Sequence, residues 1–129
     1  MPGPLIFLVE DDETARDLFR FLLTAEGYAV HAFSCAEDAL EELSRRRPAA
    51  VLLDQHLPLM DGLECLRRIR TYTSDTPVAL LTGDYFIDEG RAAEFAALGA
   101  EIHFKPVWES DLLRILRGML AREPTHGAR

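Results

Sequence analysis

The sequence predicts an α/β fold built on a doubly wound, five-stranded parallel sheet. Three observations carry that expectation. Five short apolar runs, at 5–9, 28–32, 51–53, 78–81 and 102–104, alternate with five stretches of helical periodicity. The first, third and fourth runs are nearly continuous in Val, Leu and Ile, which suits strands covered on both faces. Right-handed crossovers between such strands place helices on both sides of the sheet and give three layers.

Each element has its own signal. After the first strand, Phe19, Leu22 and Leu23 form one face of a helix over 14–26, and Gly27 stops it. Ser34, with Glu37 three residues on, has the spacing of a capping box and predicts the start of a second helix. That helix carries Ala39, Leu40 and Leu43 and ends before Pro48. Leu63, Leu66 and Ile69 give the third helix a face after Gly62. A weaker, Ala-rich helix begins near Asp88, uses Phe95 and Leu98, and stops at Gly99. Leu112, Leu113, Leu116 and Leu120 serve the fifth. No repeat or interior linker interrupts the pattern, so the expectation is one domain over 1–121 and a polar tail over 122–129.

Composition narrows the function. The 129 residues carry 22 Asp and Glu against 14 Lys and Arg, a formal charge of −8. Thirteen of the 14 cations are Arg, and the single lysine is Lys105. An acidic chain without a basic stripe is a poor nucleic-acid binder. No apolar run is long enough to span a membrane, and no secretory leader is visible at the start. Cys35 and Cys65 lack metal spacing and read as packing residues in a reduced, cytoplasmic protein.

In an open parallel sheet the site lies beyond the carboxyl ends of the strands. There the first strand is followed by Glu10, Asp11, Asp12 and Glu13, the third by Asp54, the fourth by Thr82, Gly83 and Asp84, and the fifth by Lys105. Converging carboxylates repel: at roughly 4 Å and an effective dielectric near 20, each close pair costs about 4 kcal/mol. An all-oxygen site with few protein ligands suits Mg2+, with Mn2+ as its substitute. The Lys105 ammonium and the Thr82 hydroxyl then stand ready to clamp an anion beside the metal. The set supplies what phosphoryl transfer to a carboxylate needs.

The stretches LIFLVEDDE, LLDQHLPLMDGLECLRRIR, PVALLTGD and HFKPV, in this order and each at the end of its strand, resemble the response-regulator receiver domain of two-component signalling. The resemblance runs from about Leu5 to Leu120 and implies a flavodoxin-like (β/α)5 fold with strand order 2-1-3-4-5. It implies that Asp54 is the phosphoacceptor and that Glu10, Asp11, Asp54 and the backbone carbonyl of His56 hold Mg2+. Thr82 and Lys105 match the groups that bind phosphoryl oxygens. Gly83 matches a small residue that keeps the site open, Pro106 implies a cis Lys-Pro bond, and Pro58 and Gly62 shape the loop into the third helix. His56 and Asp84 match positions that flank the attacking water and tune phosphoryl lifetime. The implied protein is a switch, not a turnover enzyme. It takes its phosphoryl group from a histidine kinase or histidine phosphotransfer protein, changes its α4–β5 face and slowly dephosphorylates itself. It is expected to be a monomer or a weak phosphorylation-dependent dimer, with no direct nucleic-acid or membrane contact.

Two departures from the family pattern stand out. The aromatic usually found three residues before the lysine is replaced by Ile102, which predicts that the coupling of Thr82 to that position is absent or rewired, with motion in the loop from Thr82 to Glu89. His103 and Phe104 are disfavoured as substitutes by strand alternation. Ile115 replaces an arginine that commonly serves a charged dimer face. The LLTGD and HFKPV wording is similar to receivers attached to hybrid histidine kinases, so an excised module is the alternative to a stand-alone regulator. An aspartyl-nucleophile phosphatase would want an acid where His56 stands. A flavin or nucleotide module would want a phosphate-cradling loop where Glu10–Glu13 stand. A receiver signalling without phosphate would not need the full set of Glu10, Asp11, Asp54, Thr82 and Lys105.

The remaining residues take structural readings. Asp12 and Glu13 are solvated or favour a helix dipole, Asp61 shapes a loop, Arg45–Arg47 form a solvated helix end that favours the dipole, His31 and His103 are sheet-end or surface residues, His126 lies in the tail, and Trp108 anchors a helix start.

Overall fold

The computed structural model describes residues 3–84 and 86–121. Five strands alternate with five helices: β1 (Leu5–Val9), α1 (Glu13–Ala25), β2 (Ala29–Phe33), α2 (Ala36–Leu43), β3 (Ala50–Asp54), α3 (Gly62–Tyr72), β4 (Val78–Thr82), α4 (Glu89–Ala97), β5 (Ala100–Phe104) and α5 (Glu109–Ala121). All pairings are parallel and the order is β2-β1-β3-β4-β5, as expected. The tail over 122–129 and His126 within it lie outside the described residues.

Alternation along each strand sorts the core into two layers. Phe7, Val9, Val51, Leu53, Val78 and Leu80 face α2, α3 and Phe95 of α4. Ile6, Leu8, Leu52, Ala79 and Leu81 face Leu23 of α1 and Leu112, Leu116 and Met119 of α5. Ile115 belongs to this second layer and is buried, so it is a core residue and not part of an outer face. β3 and β4 are buried along their whole length, which accounts for their lack of polar alternation.

Several boundaries differ from the sequence expectation: α1 starts and ends one residue early, β3 takes in Ala50 and Asp54, and β4 takes in Thr82. β2 runs one residue later than 28–32, because Tyr28 N–H closes the end of α1 on Leu23 O (3.1 Å) while Gly27 takes a left-handed turn at φ 99°. Phe33 pairs with Val9, and the following turn shifts with it. The N-cap of α2 is therefore Cys35 and not Ser34, and no side-chain cap bond forms. Glu37 and Asp38 in the first turn complement the helix dipole instead. β5 begins at Ala100, because its pairing with Val78 starts there.

α4 buries one residue against the sheet, Phe95. Polar contacts from α3 hold its outer side. Arg67 grips Glu94 through Nε and Nη2 at 2.6 and 2.8 Å, and Arg70 donates to Leu98 O at 2.7 Å. The Arg45–Arg47 run closes α2 as expected, with Arg45 and Arg46 on Glu41 and Glu42 and Arg47 donating to Leu43 O and Tyr72 O. Trp108 differs from its anchoring expectation. Its backbone starts α5 through Asp111, but its ring is 68% exposed.

Candidate metal and phosphoryl site

The parallel order brings four strand ends to one edge of the sheet, and the chemistry collects there. Glu10 follows β1 and Asp54 is the last residue of β3; both are buried. Asp11 is exposed beside them. One carboxylate oxygen from each of the three lies within 4.8 Å of the others. Lys105, just past β5, places Nζ 3.0 Å from Asp54 Oδ1 and 3.6 Å from Glu10 Oε1.

The electrostatics follow from that crowding. Burial pushes the Glu10 pKa up; the Asp12 N–H at 3.1 Å and Lys105 oppose this, and the Asp54 and Asp11 carboxylates add to it. Burial alone would lower the Lys105 pKa, but the Asp54 and Glu10 carboxylates outweigh it and the net direction is upward. Three clustered carboxylates with one exposed member form an oxygen donor set that fits a small hard divalent cation retaining several waters.

The Thr82 side chain is fully buried, and its Oγ1 accepts a hydrogen bond from Asp84 N–H at 3.1 Å. Its carbonyl accepts from Lys105 N–H at 2.6 Å, which ties the end of β4 to the lysine. The Lys105–Pro106 bond is cis, as the resemblance implied. His56 and Asp84, matched from sequence to positions beside the attacking water, form a pair at the rim, with Nε2 and Oδ1 at 2.9 Å.

The two glycines differ. A Cβ at Gly62 would lie 2.8 Å from Leu80 Cδ1, 3.1 Å from Gln55 Cα and 3.3 Å from Asp54 O, so only glycine lets α3 start directly beneath the end of β3. A Cβ at Gly83 would meet no heavy atom within 4 Å, so packing within the protein does not require the small residue expected there. Asp61 caps α3 by accepting from Glu64 N–H at 2.9 Å, and Leu59 takes a left-handed φ of 69° in the same loop.

Ile102 is half-buried against the α2–α4 core layer and pairs with Leu80. Phe104 pairs with Thr82. Alternation puts Ile102 and Phe104 on one face and the hydrogen-bonded Glu101 and His103 on the other. The alternation argument therefore excludes His103 only: Phe104 shares the Ile102 face, and its ring is 52% exposed.

Sequence reasoning missed Arg16. Its Nη1 donates to Glu10 O at 3.0 Å and to Asp11 O at 3.3 Å. The available signal was its place in the second turn of α1, five residues past Asp11, close enough to reach back over the loop. The cysteines are free; Cys35 is half-buried, and burial pushes the Cys65 thiol up to about 12, which suits packing.

Residues 6–117 match the family model of the response regulator receiver domain. The chain belongs to that family. A receiver domain is a module of phosphorylation-based signalling, and the fold and strand order found here are those of its structural relatives. The response regulator MprA of Mycobacterium leprae is 35% identical over 117 residues, which is 91% of this chain and 51% of that protein. The chain thus spans about half the length of the curated relatives it matches. Among solved structures, a CheY-like receiver domain protein from Methanospirillum hungatei superposes with a TM-score of 0.84 at 26% identity, covering 92% of this chain and 94% of that one. The receiver domain of a Pseudomonas aeruginosa sensor histidine kinase superposes with a TM-score of 0.82 at 28% identity, covering 93% and 99%. That structure holds a magnesium ion in its active-site cleft.

Proposed function

We propose that this receiver domain, over residues 1–121, accepts a phosphoryl group on Asp54 from a histidine kinase or histidine phosphotransfer protein. The observation that carries the reading is the setting of the Asp54 carboxylate, 3.0 Å from the only lysine and clustered with Glu10 and Asp11. Glu10, Asp11, Asp54 and the carbonyl of His56 would hold Mg2+ (or Mn2+). Bound there, the metal would offset the charge that an incoming phosphoryl group brings to three carboxylates.

The chain's own groups divide the rest of the work. An Asp54 oxygen attacks phosphorus, a P–O bond forms, and the P–N bond to the donor imidazole breaks. Lys105 then trades its contact with Asp54 for a phosphoryl oxygen. Thr82 Oγ1 already accepts from Asp84 N–H, which leaves its own proton to donate to another phosphoryl oxygen. Water later returns Asp54 to the free acid, and the His56–Asp84 pair stands at the rim where that water would enter. The domain catalyses these two steps on itself and acts on no external metabolite. The signal leaves through the α4–β5 face to a protein partner, from a monomer or weak dimer in the cytoplasm. No helix among the described residues is long and apolar enough to cross a membrane.

Mass spectrometry after incubation with acetyl phosphate and Mg2+ tests the reading. An adduct of about 80 Da on the native chain, absent from Asp54→Asn, is expected; equal adducts on both would refute the assignment.

A further inference from the structure

The Glu10–Asp12 loop is held at more points than a helix start needs. Asp12 Oδ2 accepts from Ala15 N–H and Asp12 O accepts from Arg16 N–H, both at 2.8 Å, which secures the first turn of α1. Arg16 then doubles back. Its Nη1 carries two protons and gives one to each of two successive carbonyls, Glu10 O and Asp11 O. These belong to two residues of the acidic cluster.

The two residues differ in what else orients them. Glu10 is tethered through its own carboxylate by Asp12 N–H and Lys105. The Asp11 carboxylate has no hydrogen-bond or ion-pair partner among the described residues, so its backbone alone directs it. Arg16 fixes that backbone at the peptide planes on either side of the Asp11 Cα.

We propose that Arg16 is a positioning residue for the metal centre. It aims the Asp11 carboxylate by holding the carbonyls of residues 10 and 11. Its charge goes to carbonyl oxygens and leaves the carboxylates free for the cation. A carboxylate–arginine pair in the same place would neutralise the donor set it is meant to support. Groups that orient metal ligands from behind commonly change metal affinity by about 10–100-fold when removed. The inference rests on the metal reading proposed above.

Arg16 can be removed without emptying the core. It is half-buried and borders an open cavity of about 450 Å³ that also touches Ser34, Asp38 and Glu42. The test compares Arg16→Met, Arg16→Lys and Arg20→Met. Arg20 sits on the same helix but pairs with Asp17 and touches none of the loop. Calorimetric Mg2+ titration should show Arg16→Met binding about 10-fold or more weakly than the native chain, with Arg20→Met unchanged. Arg16→Lys should recover part of the loss, since an ammonium can reach one carbonyl. Without metal, amide exchange at Asp12 should quicken in Arg16→Met while β1 amides stay protected.

Native-like Mg2+ affinity in folded Arg16→Met would overturn the proposal. So would weakened binding accompanied by lost β1 protection and no recovery in Arg16→Lys, because the role would then be structural. If the native chain itself takes up no Mg2+, the metal reading fails first and this inference with it.

Discussion

Lys105 Nζ and Asp54 Oδ1, from residues 51 apart in the chain, lie 3.0 Å from each other. The ammonium rests on the carboxylate proposed above to take the phosphoryl group, and on that reading phosphorylation transfers this contact. The raised folded pKa of Lys105 puts the pair's contribution below the ordinary lysine value, with loss only as pH rises through the folded one. At neutral pH it is fully in place. Lys105→Met should therefore slow acetyl phosphate labelling at saturating Mg2+ by about 100-fold, the usual cost of losing one group that stabilises developing charge. A time course by mass spectrometry measures it, and an unchanged rate would remove Lys105 from phosphoryl binding.

Glu10 has the opposite stability sign to a salt-bridged surface acid. Its folded pKa is raised, chiefly by burial, so the fold favours its neutral form. Its contribution is present below the ordinary glutamate value and is lost as pH rises through the folded value. In EDTA, Glu10→Gln should thus melt higher than the native chain at pH 7, and the gap should close toward pH 4. Added Mg2+ should raise the native melting temperature and move the variant far less. Surface acids such as Glu64 and Asp111 shift downward and pull total stability the other way, which is why the difference between the two proteins is the quantity to follow.

The sequence made the sheet legible because β1, β3 and β4 are apolar on both faces, and it made the site legible because Glu10, Asp54, Thr82 and Lys105 all stand at or just past the ends of apolar runs. What escaped it depends on register and on long side chains folding back. Whether Ser34 or Cys35 caps α2 turns on Phe33 pairing with Val9, a long-range contact. Arg16 reads as one more helix arginine until the loop beneath it is placed. The His56–Asp84 pair needs the β3–α3 and β4–α4 loops side by side. Gly83 and Gly62 look alike in the sequence, and only their surroundings separate them.

That separation is testable. Gly62→Ala forces a methyl against Leu80, Gln55 and the Asp54 carbonyl, and should cost about 1–3 kcal/mol, as overpacking does. Because the strain falls on the residues that seat Asp54, labelling by acetyl phosphate should slow as well. Gly83→Ala meets no protein atom and should leave the urea midpoint unchanged. Equal midpoints for the two variants would contradict the close approach of α3 to β3.

The switch itself is the last expectation. Ile102 is packed into the core layer shared with Phe95 and Leu98 and has no ring to swing. Phe104 lies two residues nearer Lys105 on the same face, opposite Thr82 and half exposed. Because Thr82 Oγ1 accepts from Asp84 N–H, a shift of Thr82 toward a phosphoryl oxygen should draw Asp84 and the loop from Thr82 to Glu89 with it. Structures with and without an acyl-phosphate mimic should show that loop displaced and the Ile102 rotamer unchanged. Ile102→Ala should weaken packing without blocking the loop shift, whereas a large Ile102 swing with a stationary loop would sink this account.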